Sequence, residues 1–141
     1  SELQEIKPVN FNGWVADKTT YGRMGKDHKW RYSAYQITWL FFSSNQVYFY
    51  QYTLYMDCDE KKEITNEYFY RDITSFNTSS DTIEVRTYDK KKKDYTLKNV
   101  DSTRFCLAVP GDKMYCAMEQ NEANERAVQA MKSKLREKKS A

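Results

Sequence analysis

The chain has 141 residues, one domain's worth, enough to bury roughly two-thirds of the surface its unfolded form exposes. Apolar residues make up 40%, too many for a disordered chain, and 23 Lys+Arg against 20 Asp+Glu leave a net charge of +3, too small for a strongly basic nucleic-acid protein. No apolar run approaches the ~20 residues of a membrane span, and no apolar signal core follows a basic start. The distinctive figure is 16% aromatic residues, carried by 12 Tyr, 7 Phe and 3 Trp. The chain starts Ser-Glu without an initiating Met and reads as a piece of a longer protein.

Residues 1–28 hold Pro8 and three of the four glycines, Gly13, Gly22 and Gly25. They read as a lead-in arm anchored by Phe11, Trp14 and Val15, with a short strand between Trp14 and Tyr21. The domain proper is expected over 29–139. Trp30 to Phe42 is dense in aromatic and β-branched residues, which suit a pleated surface better than a helix. Ser43-Ser44-Asn45 breaks the run. Gln46 to Asp57 then alternates, with Val47, Phe49, Gln51 and Thr53 on one parity and Tyr48, Tyr50, Tyr52 and Leu54 on the other. Two such runs around a short polar break predict a hairpin. Asp57 to Lys62 is a polar loop, and Glu63 to Arg71 a third strand. Asn77 to Ser80 reads as a turn cluster. Asp81 to Tyr88 alternates cleanly, Lys90–Lys93 is a charged turn, and Tyr95 to Val100 a short strand. Thr103 to Val109 and Lys113 to Met118 are two more strands around Pro110-Gly111-Asp112, in which proline fixes one torsion and glycine accepts a positive φ.

After Glu119 the period becomes helical. Asn121 is a suitable N-cap, and Ala123, Ala127, Val128, Met131 and Leu135 form an apolar stripe. Basic residues at Arg136, Lys138 and Lys139 suit the negative end of a helix over about 121–138. The expectation is a mainly β (α+β) fold: a seven-stranded antiparallel barrel or sandwich, connected as a meander and capped by one C-terminal amphipathic helix.

The chemistry of most enzymes is missing. Three cysteines at scattered positions, Cys58, Cys106 and Cys116, do not make a disulfide framework. Cys106 and Cys116 fall in apolar stretches and read as core thiols; a disulfide between them would join neighbouring strands slightly out of step. Free thiols point to a reducing compartment, so the cytoplasm is expected, with any membrane attachment supplied by segments outside this chain. The single histidine, His28, sits in a charged stretch and has no triad or metal partners in sequence. No phosphate-cradling glycine motif is present. Asp57, Asp59 and Glu60 lack the glycine and distal glutamate of a calcium loop. No catalytic residue, cofactor or metal is expected.

The stretch Glu67-Tyr-Phe-Tyr-Arg-Asp-Ile-Thr-Ser-Phe76, the hairpin after it, the last strand pair and the terminal helix ending Leu135-Arg-Glu-Lys-Lys139 resemble the pleckstrin-homology-like superfold. The likeness covers about residues 30–139, is nearest in character to the bacterial PH and GRAM-like branches, and includes uncharacterised bacterial proteins of that type. It implies a sheet pair with one corner plugged by the helix, and a module that binds lipids, binds peptides or assembles. Lipid-binding members carry basic residues around the loop joining the first two strands. Here that loop is Ser43-Ser44-Asn45, which argues against inositol-phosphate binding.

Three functions follow as expectations. The first is a non-enzymatic interaction domain meeting a protein or peptide through its aromatic first hairpin, at Tyr35, Trp39, Tyr48, Tyr50 and Tyr52, or through an unpaired strand edge. Self-association is one form of this. The second is a peripheral module binding an anionic membrane surface through Arg23, Lys26, Lys29 and Arg31, or Lys90, Lys91, Lys92 and Lys93. The third is a lipocalin-like carrier with an aromatic pocket. Nucleic acid is not an expected partner.

Overall fold

A computed structural model describes residues 8–16, 20–56 and 58–140, apart from the side chain of Trp30. Asp57 of the considered calcium loop therefore lies outside the described residues, as does part of the expected strand between Trp14 and Tyr21. The fold is mainly β. Its strands are β1 (Val9–Trp14), β2 (Tyr21–Met24), β3 (Trp30–Tyr32), β4 (Ala34–Phe42), β5 (Gln46–Tyr55), β6 (Lys61–Phe69), β7 (Ser75–Asp89), β8 (Asp94–Val109) and β9 (Asp112–Ala117). A 3₁₀ turn, Tyr70–Asp72, joins β6 to β7, and one helix, α1 (Glu122–Ser140), ends the chain. A four-stranded sheet has the order β1-β4-β5-β6 and a five-stranded sheet the order β3-β2-β7-β8-β9; the two do not close into a barrel.

Nine strands are described where the sequence reading expected seven. Two of them, β1 and β2, lie in the stretch read as a lead-in arm, and Phe11 of β1 is fully buried. The run from Trp30 to Phe42 is two strands. The chain passes from one sheet to the other at Ser33, whose N–H donates to the Tyr21 carbonyl while its hydroxyl accepts from the Tyr21 N–H. The expected turn at Asn77 to Ser80 is strand instead. Its polar side chains bond along and across the ladder: the Ser79 hydroxyl bonds Asp81, and the Ser80 hydroxyl bonds that of Thr103 on β8. The two short strands expected at 95–100 and 103–109 are one, β8, since Val100 and Asp101 stay paired with Ile83 and Thr82. The connectivity is not a pure meander either: β2 pairs with β7 in parallel at Tyr21–Arg86 and Gly22–Thr87.

Strand alternation sends one parity of each sheet inward. Phe11, Leu40, Phe42, Val47 and Phe49 from the four-stranded sheet meet Phe105, Leu107, Met114 and Cys116 from the other. The Phe11 and Phe105 rings stack at 5.1 Å. Burial of each such side chain is worth about 1.5–3 kcal/mol relative to leaving it exposed. The helix lies against β1, the 3₁₀ turn and β7, and adds Val128, Met131 and Leu135 to the core. Asn121 caps it as expected, its side-chain oxygen accepting from the Asn124 N–H at 2.8 Å. At the other end the Lys139 ammonium donates to the carbonyls of Tyr70 and Ile73.

Polar side chains join the sheets where no backbone ladder does. Gln36 accepts from the Ala117 N–H at 2.8 Å, and Gln51 donates to the Tyr115 carbonyl at 2.9 Å, so amides of the other sheet satisfy two groups on the free edge of β9. Cys106 and Cys116 are free: Cys106 faces Tyr115 across the ladder and Cys116 faces Phe105, which puts the two thiols on opposite faces of the sheet. No helix among the described residues is long and apolar enough to cross a membrane.

Candidate functional site

The five residues singled out on the first hairpin all reach one surface. Tyr35 and Trp39 on β4 share the outward parity with Ile37 and Phe41, and Tyr48, Tyr50 and Tyr52 on β5 share it with Leu54. The register sets them in cross-strand rows: Phe41 beside Tyr48, Trp39 beside Tyr50, Ile37 beside Tyr52, Tyr35 beside Leu54. Such neighbours have Cβ atoms about 4.5–5.5 Å apart, so the rings form a continuous layer. Phe41 is 45% exposed, Tyr48 38% and Trp39 37%, large values for rings of this size. No described element packs over this face.

Local bonds hold the layer in place. The Trp39 and Phe41 rings stack at 6.3 Å, and Trp14 meets the edge of Tyr35 at 4.9 Å. The Tyr35 hydroxyl donates to Asn12 at 2.8 Å, and the Gln46 amide donates to the Tyr48 hydroxyl at 2.9 Å. Packing against its neighbours, and next the Glu63 carboxylate, push the Tyr50 phenol above its ordinary range. Beyond β5 the face continues onto β6, where Glu67 stands opposite Tyr48, Thr65 opposite Tyr50 and Glu63 opposite Tyr52. A shallow hollow of about 460 Å³ opens there between Phe41, Tyr48, Tyr50, Thr65 and Glu67. Ile37, Phe41, Glu63 and Glu67 are not among the site residues expected from sequence. The parity that selected Tyr35 and Trp39 also selects Ile37 and Phe41; the two glutamates become part of the face only through the β5–β6 register.

The two basic groups fare differently. Parallel pairing of β2 with β7 brings the turn after β2 and the turn after β7 to the same end of the five-stranded sheet, so Lys26 and Lys90–Lys93 lie at one end, all exposed. The Arg23 guanidinium covers the Tyr88 ring at 4.8 Å. Arg31 is committed elsewhere, gripping both oxygens of Asp27 at 2.8 and 2.9 Å. That grip, helped by the Lys29 N–H, lowers the Asp27 pKa to about 2. Lys29 and Arg31 instead line a wide cleft of about 860 Å³ together with the acids Asp27, Asp101 and Glu119. The expected cluster of four therefore splits into a basic end and a mixed-charge cleft.

His28 occupies an exposed turn with φ 61°. Comparison with family models, with curated proteins and with solved structures finds no match for this chain.

Proposed function

We propose that this chain is a non-enzymatic interaction domain that docks a protein or peptide on the outer face of its four-stranded sheet. The observation that carries the reading is the row of exposed rings and aliphatic side chains on β4 and β5, which no described element covers. Contiguous apolar surface of this kind is uncommon on a monomer and marks interaction sites, and Tyr, Trp and Phe are enriched at such contacts. A binding role rather than catalysis fits the position of the lone histidine on an exposed turn. The fold is read as a variation on the pleckstrin-homology-like plan, supported by its β-rich sheet pair and C-terminal helix; the nine strands and the parallel β2–β7 pairing depart from that plan.

A photo-crosslinking residue placed at Tyr48, and at Glu84 on the other sheet as control, tests the docking face in the cells the protein comes from. The expected result is a discrete adduct at Tyr48, absent at Glu84 and reduced several-fold by Trp39→Ala or Tyr50→Ala. Equal adducts at both positions, or none at Tyr48, would remove the face from consideration.

A second reading rests on the placement of Lys26 and Lys90–Lys93 at one end of the five-stranded sheet. Near an acidic membrane each such lysine contributes about 1 kcal/mol. The expected result is co-sedimentation with phosphatidylserine vesicles at low salt, lost when the four lysines of the turn become Gln. Equal sedimentation with neutral vesicles would end this reading. The carrier reading has less behind it, since Phe11, Leu40, Phe49, Phe105 and Met131 fill the space between the sheets.

A further inference from the structure

Building on the docking reading, we infer that the occupant is an extended segment bearing arginine or lysine, added as a further strand to the open edge of β6.

β6 is the last strand of its sheet, so one side of its backbone has no strand partner. Edges of this kind accept a peptide by main-chain hydrogen bonds, with specificity left to side chains. The side chains here call for cations. Glu63 and Glu67 are exposed and form no ion pair among the described residues, although four such pairs exist elsewhere there; Glu63 takes a hydrogen bond from the neutral Tyr50 phenol, and neither carboxylate has a cation on it.

The rings beside them are uncovered in the same sense. On the rest of the molecule the protein's own guanidinium groups lie over exposed or half-exposed rings: Arg23 over Tyr88, Arg86 over Tyr21, Arg104 over Tyr115. Arg71 does the same over Phe69, where β6 ends. Among the described residues no such group covers Trp39, Phe41, Tyr48, Tyr50 or Tyr52. An arginine from outside meets both needs at once, since its planar fork pairs with a carboxylate while its face stacks on a ring.

The spacing narrows the partner further. Glu63 and Glu67 are four positions apart on one face of β6, about 13 Å at a strand's rise of 3.3 Å per residue. A strand paired to β6 places its own positions i and i+4 opposite them. Position i+2 then falls opposite Thr65, beside Tyr50. The favoured pattern is a basic residue, an apolar residue two positions on, and a second basic residue two positions after that. Tyr52 stands two strands away from the position opposite Glu63, about 9.5 Å at the spacing of neighbouring strands, a span that a long cationic side chain laid across the face of β6 covers.

The probe is a fluorescent, threonine-rich synthetic peptide with two arginines four positions apart and a leucine midway, titrated against the whole chain by anisotropy. Saturable binding is expected, weakened on the order of tenfold by Glu63→Gln with Glu67→Gln and weakened by salt. It should be abolished by N-methylation of alternate peptide amides and unchanged by Glu122→Gln with Glu125→Gln on the helix. A peptide with glutamates in place of the arginines should not bind. Equal binding of the two peptides, or indifference to the Glu63 and Glu67 substitutions, overturns the inference. If the arginine peptide fails while the Tyr48 adduct persists, the docking face stands and its basic partner does not. A dimer in sedimentation that dissolves on changing Glu63 and Glu67 gives the edge to a second copy and also overturns it.

Discussion

Cys116 is a fully buried thiol on β9, opposite Phe105. Burial pushes its pKa from 9.0 up to about 12, and a hydrogen bond with Thr38 offsets part of the rise. The folded chain therefore keeps this proton where the unfolded chain gives it up. The linked stability is fully present below 9.0 and is lost as the pH climbs toward about 12. Denaturant unfolding should show that alkaline decline, and Cys116→Val should reduce its slope. The phenols of Tyr32, Tyr35 and Tyr68, also pushed up chiefly by burial, account for a remainder. An unchanged slope in the valine variant would exonerate the thiol. The apolar stretches around Cys106 and Cys116 announced core thiols, but only one of the two is fully buried. A one-residue offset in register sends neighbouring side chains to opposite faces, and register is a property of two strands together.

At the level of elements, the helix was the easiest to read and β1 the hardest. A 3.6-residue period and an N-cap at Asn121 mark out α1 without reference to anything else. Its stripe differs at one place: Ala123 is exposed and Asn124 is buried. The Asn124 side chain behaves as a piece of backbone, donating to the carbonyls of Asn12 and Glu119 and accepting from the Asn12 N–H. Asn124→Ala strips the Asn12 N–H of its partner, while the carbonyls of Asn12 and Glu119 keep the N–H groups of Glu119 and Asn121, and should cost about 1–3 kcal/mol in denaturant unfolding. A loss within experimental error would show that the joint between helix and β1 is held by apolar packing alone. β1 and β2 escaped notice because they are short and each carries a glycine, a residue that weakens strand propensity. Both glycines answer to distant neighbours. A Cβ on Gly13 would stand 2.8 Å from the Met118 carbonyl carbon, and one on Gly22 would stand 2.9 Å from the Tyr32 ring.

For the whole molecule, the outward face could be read as a parity but not as an exposed surface. Alternation along two strands puts Tyr35, Trp39, Tyr48, Tyr50 and Tyr52 on one face. Both parities of the hairpin are rich in apolar residues, so the sequence offered two faces and no rule for which one the helix and the second sheet would cover. The basic groups show the converse. Lys26 and Lys90–Lys93 come to one end of the sheet because β2 runs parallel to β7, a pairing that no local pattern announces. Arg31 dropped out because Asp27, four residues earlier, was in reach of it.

The bonds between Asn12 and Asn124 join residues 112 positions apart. A nascent chain in which the helix has not yet emerged has nothing to lay over β1 from that side, so the sheet pair is covered only once the residues around Asn124 have left the ribosome. Until then the segment that was hardest to recognise is also the one left waiting.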